Sequence, residues 1–286
     1  MDYLHHSAIE NSDYWKYKSI KRYGFNSFLV MCNLTLLFCT TSLHAKYPLL
    51  IYYGSEYTIE HFRDYETVVL DPDLYEDVRS LKSRSFAYVS LGEVGTCRSY
   101  FEVLKKNGLL AGQNKNWGSY HIDISDGRWE QILIEEVIPP IIQSGYDGLF
   151  LDTVDSLLHR GESKEKIVSL IKAIKKRYPK LRLMLNRGFE IADAVPINAL
   201  LYESTISGYD FKKNLFTVLP YDFRFNSKNK VERYSVDYWN PEETFKIKQI
   251  YKMALQKGYK PLVTEISLTK LPRVKWDAKK NILEYY

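Results

Sequence analysis

From residue 46 onward the chain alternates short apolar runs with longer stretches whose apolar positions recur every three or four residues. The short runs are 49–53 (LLIYY), 67–70 (TVVL), 86–90 (FAYVS), 148–152 (GLFLD), 181–186 (LRLMLN), 199–203 (ALLYE), 233–238 (RYSVDY) and 261–266 (PLVTEI). Several are apolar almost throughout, as strands buried on both faces of a parallel sheet must be. Between them the period changes. Lys164 to Arg177 places Ile167, Leu170, Ile171 and Ile174 on one helix face, and Pro179 stops it. Asn240-Pro241-Glu242-Glu243 offers a cap, a first-turn proline and an acid at the third position. Ile247, Ile250, Tyr251, Ala254 and Leu255 then form a stripe that ends at Gly258. A further helix opens at Ser99 to Glu102 and closes near Asn107-Gly108. Eight strands alternating with helices predict an α/β fold, a single (β/α)8 TIM barrel.

The spacing is uneven. About fifty residues separate the third and fourth strands, and they are expected to hold an extra strand at 119–124 and a helix over 128–143. Residues 204–232 read as irregular. No repeat, low-complexity tract or linker divides residues 46–286, which form one predicted domain.

Residues 1–45 have a different character. Lys16, Lys18, Lys21 and Arg22 precede an apolar stretch from Phe25 to Phe38, and small and polar residues lead to Ala45. This is the order of a secretory signal peptide, with Ala45 as the cleavage point. Asn33 and Thr35 interrupt the run, so an uncleaved membrane anchor over 25–44 is the weaker reading. The expected location is therefore outside the cytoplasm: periplasmic, secreted or at the cell surface. Cys32 and Cys39 lie within the leader, so only Cys97 would remain after cleavage and no internal disulfide could form. Cys97 reads as a small apolar residue.

Composition changes this picture little. The chain is 45% hydrophobic and 26% charged, enough for one large core. Its net charge of +5 is spread among acids, with no basic tract of the kind that follows nucleic acid. The 24 tyrosines are more than packing usually asks for, and those at strand ends could stack on sugar rings.

The chemistry lies in where the acids fall. In a parallel barrel all strands end at one mouth. Glu93 follows the third strand, Asp152 ends the fourth, Glu203 ends the sixth, and Asp237 and Glu265 lie at the seventh and eighth. Each alone reads more readily as a cap or an ion-pair partner. Five at one rim point to acid chemistry, because crowded carboxylates raise one another's pKa and one stays protonated. Glycoside hydrolysis uses such a pair. A hydrolytic metal site would draw on histidine, and His61, His121 and His159 end none of the eight strands. No nucleophile elbow or phosphate loop is present. No metal or cofactor is expected.

Several stretches carry a resemblance. They are Tyr53-Gly54, Val69-Leu70-Asp71-Pro72, Tyr88 to Val94, Arg98 to Phe101, Asn116-Trp117, Gly145 to Thr153, Asn186-Arg187-Gly188-Phe189, Tyr202-Glu203-Ser204 and Val263-Thr264-Glu265. In this order, residues 49–271 resemble glycoside hydrolase family 114, the endo-α-1,4-polygalactosaminidase-like barrels. The resemblance implies an endo-acting glycosidase on α-1,4-linked galactosamine or N-acetylgalactosamine polysaccharide. By position it implies Asp152 and Glu203 as the catalytic acids, Asp152 as nucleophile or base and Glu203 as general acid, or the reverse. Glu93, Asp155, Asn186 and Arg187 would shape the sugar subsites or tune the acids. Tyr53, Trp117, Tyr202 and Tyr238 would stack on sugars or contact their hydroxyls, with Asp237 and Glu265 on the same rim. Glu265 departs from the aspartate the family favours, and one methylene moves a carboxylate by roughly 1.5 Å. The alternative function is a non-catalytic polysaccharide-binding protein on the same barrel. A metal-dependent hydrolase on the acidic rim is the third reading.

Overall fold

The computed structural model describes residues 46–125, 127–219, 225 and 227–286, so the leader lies outside the described residues. Eight parallel strands form one sheet in sequence order: β1 (Tyr47–Tyr52), β2 (Tyr65–Leu70), β3 (Arg84–Ser90), β4 (Gly148–Asp152), β5 (Arg182–Asn186), β6 (Ala199–Glu203), β7 (Glu232–Tyr238) and β8 (Lys260–Thr264). The sheet curls until β8 lies beside β1, giving a nearly closed barrel. Beyond β8, the Tyr53 amide donates to the Leu268 carbonyl at 2.8 Å and ties the two edges together.

Alternation along each strand decides what faces the axis. Leu49, Ile51, Val69, Phe86, Phe150, Met184, Leu201, Tyr234, Val236 and Leu262 fill the interior. Their neighbours, such as Leu50, Val68, Ala87, Leu149, Leu183 and Leu200, face the surrounding helices. Gly148 is required by this packing. A Cβ there would meet the Phe86 ring at 2.7 Å and the Arg182 carbonyl at 2.5 Å.

Helix α1 (Lys164–Arg177) buries the four predicted residues, and the Ser163 hydroxyl caps it by accepting from the Lys166 amide. Helix α2 (Thr244–Gln256) buries Ile247, Ile250, Tyr251 and Ala254. It starts four residues later than Asn240 because the Asn240 side chain accepts from the Glu242 amide and closes a separate turn first. The expected helix over 128–143 is continuous but widens to a π turn at Leu133–Val137. Pro139 and Pro140 follow and cannot donate to the preceding turn.

Three small antiparallel sheets were not anticipated in full. The insertion after β3 carries strands Glu93–Val94, Leu110–Asn114 and Ser119–Ile122. A hairpin of Ser207–Asp210 and Leu215–Val218 rises after β6, and a second of Val274–Asp277 and Ile282–Tyr285 follows β8. No helix among the described residues is long and apolar enough to cross a membrane.

Candidate active site

The mouth of the barrel opens into a cleft of about 470 Å³ that both Asp152 and Glu203 line. Each is the last inward-facing residue of its strand, after Phe150 and Leu201 respectively. Asn186, in the same place on β5, stands between them. Its single Nδ2 donates to Asp152 Oδ1 at 2.7 Å and to Glu203 Oε2 at 2.6 Å. Those two oxygens therefore lie within about 5.3 Å of each other, the combined length of the two bonds.

Each acid has a tyrosine of its own. Tyr88 donates its hydroxyl to Asp152 at 3.0 Å, and Tyr238 donates to Glu203 at 2.7 Å. Burial, and then the adjacent carboxylate charges, push both phenols well above their ordinary pKa, so they remain donors. Burial likewise raises Asp152, to about 6, with the Glu203 charge adding to it. The hydrogen bonds from Asn186, the Thr153 backbone and Tyr88 oppose that rise. Asp152 therefore keeps its proton further into the mildly acidic range than an ordinary aspartate does.

The residues directly after these three strand ends share a rare backbone. Thr153, Arg187 and Ser204 have φ of 63°, 54° and 50°. Left-handed geometry at a non-glycine residue is uncommon and costs about 1–2 kcal/mol, and such sites cluster where side chains must be aimed. Here it turns the chain sharply while the inward residue keeps its direction. Thr153 is locked by its own hydroxyl, which donates to the Asp152 carbonyl at 2.7 Å, accepts from the Gly92 amide and meets the Ser90 hydroxyl.

Glu93 forms a second acidic corner. It is almost fully buried and accepts from Asn114 Nδ2, from Ser119 Oγ at 2.6 Å and from Ser156 Oγ at 2.9 Å, with His121 Nδ1 3.6 Å away. Asp155 lines the same cleft and pairs with Arg187 at 3.2 Å. In the same cleft Arg98 grips Asp71 with both nitrogens, at 2.5 and 2.9 Å, and reaches Asp73. Burial works against the Arg98 charge, but Asp71 and Asp73 more than offset it and keep it cationic. Tyr53 packs edge-on against Tyr88 near this pair. Trp117 stands exposed at the rim.

Three predicted contact residues lie elsewhere, and alternation explains the first two. With Glu203 inward, Tyr202 faces out, where its hydroxyl donates to the Phe225 carbonyl and its ring stacks on Tyr259. With Tyr238 inward, Asp237 faces out. It is fully buried and accepts from the Ile206 and Ser207 amides at 2.8 and 2.9 Å, at the root of the hairpin after β6. Burial, against those backbone bonds, raises it to about 6. Glu265 lies just beyond β8, outside the cleft lining, and binds the Ser267 hydroxyl at 2.7 Å. Cys97, expected as an apolar filler, is exposed at the cleft edge.

Tyr88, Asp71, Arg98, Asn114, Ser119 and Ser156 also line the cleft, although none is among the site residues expected from the sequence. Alternation from Ser90 would have brought Tyr88 inside. The others depend on how the insertion folds back. Among the described residues no group of three or more His, Cys, Asp or Glu side chains is arranged to hold a metal ion.

The Glycoside-hydrolase family GH114 model matches residues 51–280. The chain belongs to that family. This GH114 member resembles the glycoside hydrolase domain of PelA from Pseudomonas aeruginosa, with a TM-score of 0.67 and 23% identity over 78% of this chain and 96% of that one. It also resembles Aspergillus fumigatus Ega3, solved as a complex with galactosamine, with a TM-score of 0.58 and 15% identity over 85% and 96% of the two chains. At these identities the likeness shows the shared barrel alone. No curated protein matches the chain significantly in sequence. Family membership makes the protein a glycosidase and implies a polysaccharide substrate.

Proposed function

We propose that this GH114 protein is an endo-glycosidase cutting α-1,4-linked galactosamine or N-acetylgalactosamine polymers, with Asp152 and Glu203 as its reacting carboxylates. The observation that carries the reading is the shared Asn186 amide, which binds both acids from one nitrogen. Glu203 Oε would protonate the glycosidic oxygen as that bond breaks. Asp152 Oδ would attack the anomeric carbon from the opposite face. Glu203, now a carboxylate, would take a proton from water, whose oxygen displaces Asp152. The short span favours this double displacement over single inversion, which needs roughly 6.5–9.5 Å to seat a water. The choice of amino sugar rests on the family likeness, and the acidic corner at Glu93 suits a cationic ring substituent.

Partially deacetylated galactosaminogalactan is the test substrate. The protein is expected to release oligosaccharides of α configuration, read by NMR before mutarotation. Asp152→Asn and Glu203→Gln should each lose at least about a thousandfold in kcat. Binding without any release from folded wild-type protein, across pH 4–8, would instead mark a polysaccharide-binding barrel. Azide rescue separates the two roles. Glu203→Ala should form the α-glycosyl azide, whereas the same product from Asp152→Ala would reverse the assignment. We also propose that the leader directs export. Mass spectrometry of the secreted form should then find Lys46 at its N-terminus.

A further inference from the structure

Two hairpins flank the cleft, and each is rooted beside an acid. The first, within the insertion after β3, turns through Asn114–Gly118. The residues on either side of its turn, Asn114 and Ser119, both donate to Glu93. The second follows β6 directly after Glu203 and is pinned at its base by the Asp237 carboxylate. Their tips meet. Trp117 of the first and Phe211 of the second pack edge to face, with ring centroids 5.3 Å apart and planes at 75°. Tyr209 and Phe216 continue the aromatic row behind Phe211.

Both tip rings remain open to solvent, Trp117 at 59% and Phe211 at 46% exposure. A core-forming pair would bury its faces. These two touch only enough to fix each other's orientation while leaving ring surface uncovered. Trp117 lines the same cleft as Asp152 and Glu203, so the uncovered surface is continuous with the place where a glycosidic bond would be cut. An aromatic face in that position complements the flat apolar C–H face of a pyranose, and a second ring at right angles limits how that pyranose can sit.

We infer that Trp117 and Phe211 together form a distal sugar subsite, a ledge that holds a hexosamine unit of the polymer at least one residue away from the scissile bond. The inference rests on the proposed glycan substrate and assigns the ledge to chain length rather than to chemistry. Neither ring touches the carboxylates. Its contribution is extra binding for long chains, with none for the shortest substrate that spans the acids.

The experiment compares wild type, Trp117→Ala, Phe211→Ala, Trp117→Leu and Trp117→Tyr on the polymer and on the shortest hexosamine oligosaccharide that wild type cleaves. Both exposed rings can be removed without opening the core, and thermal melting checks this. The alanine variants should lose about tenfold in kcat/KM on the polymer and stay within about twofold on the short substrate. Trp117→Tyr should recover most of the loss, and Trp117→Leu, apolar but without a π face, should not. Equal loss on both substrates, no loss on either, or full recovery with leucine would overturn the ledge. If wild type cuts nothing, the proposed reaction fails first. Calorimetric titration with a hexosamine oligomer then decides the ledge alone: affinity reduced in the alanine variants supports it, and unchanged or absent binding rejects it.

Discussion

Asn186 shows how little a single side chain must do to organise two acids. One amide nitrogen has two hydrogens, fixed about 120° apart, and each is aimed at a different carboxylate. Its contribution is to spacing and to proton affinity, since its bond to Asp152 opposes the rise that burial imposes. Asn186→Ala should therefore lower kcat far more than it changes KM. It should also move the acidic limb of the pH–rate profile, set by the Asp152 nucleophile, upward, because Asp152 loses a donor that favours its anion. An unchanged limb would show that the amide only fills space. Asp152 itself carries a stability consequence. Its pKa in the folded chain, about 6, lies above the ordinary aspartate value, so its favourable contribution is complete below about pH 4 and is lost as pH rises through 6. Asp152→Asn removes the buried charge at every pH. Chemical denaturation should find it about 1–2 kcal/mol more stable than wild type at pH 7.5, with the gain gone by pH 4.

The strand is the element that sorts the rim. The eight apolar runs were legible because burial on both faces leaves no other pattern, and their order gave the barrel. The rim residues were legible only in pairs, since Tyr202 and Glu203, or Asp237 and Tyr238, look equally placed until one of each pair is known to face the axis. Alternation then admits one and turns the other outward, and with Asp152, Asn186 and Glu203 chosen it returns Tyr88 as well. What no periodicity reveals is the folding of the two long excursions, which bring Asn114, Ser119 and Phe211 to the mouth through tertiary contacts. Nor does it reveal the left-handed residues after β4, β5 and β6. Two of these separate strain from function. Ser204 makes a backbone bond to the Val236 carbonyl, and glycine at φ 50° would keep it. Ser204→Gly should thus raise stability by up to about 1 kcal/mol with activity retained. Thr153→Gly relieves the same backbone but removes the hydroxyl that joins Ser90, Gly92 and Asp152. It should cost about 1–2 kcal/mol net and lower kcat, because the strand end no longer holds its acid in place. Melting curves with single-substrate kinetics on both variants give the comparison.

Across the whole barrel, charge is arranged oppositely at the two ends. At the mouth, no lysine lines the cleft that holds Asp152 and Glu203, and burial holds the Asp152 anion at a cost. At the base, Glu232 opens β7 and is surrounded by cations: Arg84 at 2.5 Å, Lys260 at 3.0 Å and Arg182 at 3.1 Å, with the Tyr234 hydroxyl at 2.8 Å. Burial pushes its pKa up, yet the bonds from Arg84, Lys260 and Tyr234 override this and hold it at about 2. Four strands, β2, β3, β5 and β8, reach this one carboxylate through Thr67, Arg84, Arg182 and Lys260, the first by way of Tyr234. The sign is the reverse of that for Asp152. A depressed pKa gives stability that is present above about pH 4.3 and disappears as pH falls through 2. Glu232→Gln leaves two guanidinium groups and an ammonium facing one another without their shared anion. Partial exposure lets water and salt screen that repulsion, so the expected loss at pH 7 is about 1–3 kcal/mol rather than the larger value of a fully buried pair. The gap between variant and wild type should narrow as pH is lowered from 4.5 towards 2, as Glu232 becomes protonated in the wild type too. Added salt should narrow it at neutral pH by screening the cations. A gap that stays constant through both titrations would mean that the glutamate holds the base by packing rather than by charge.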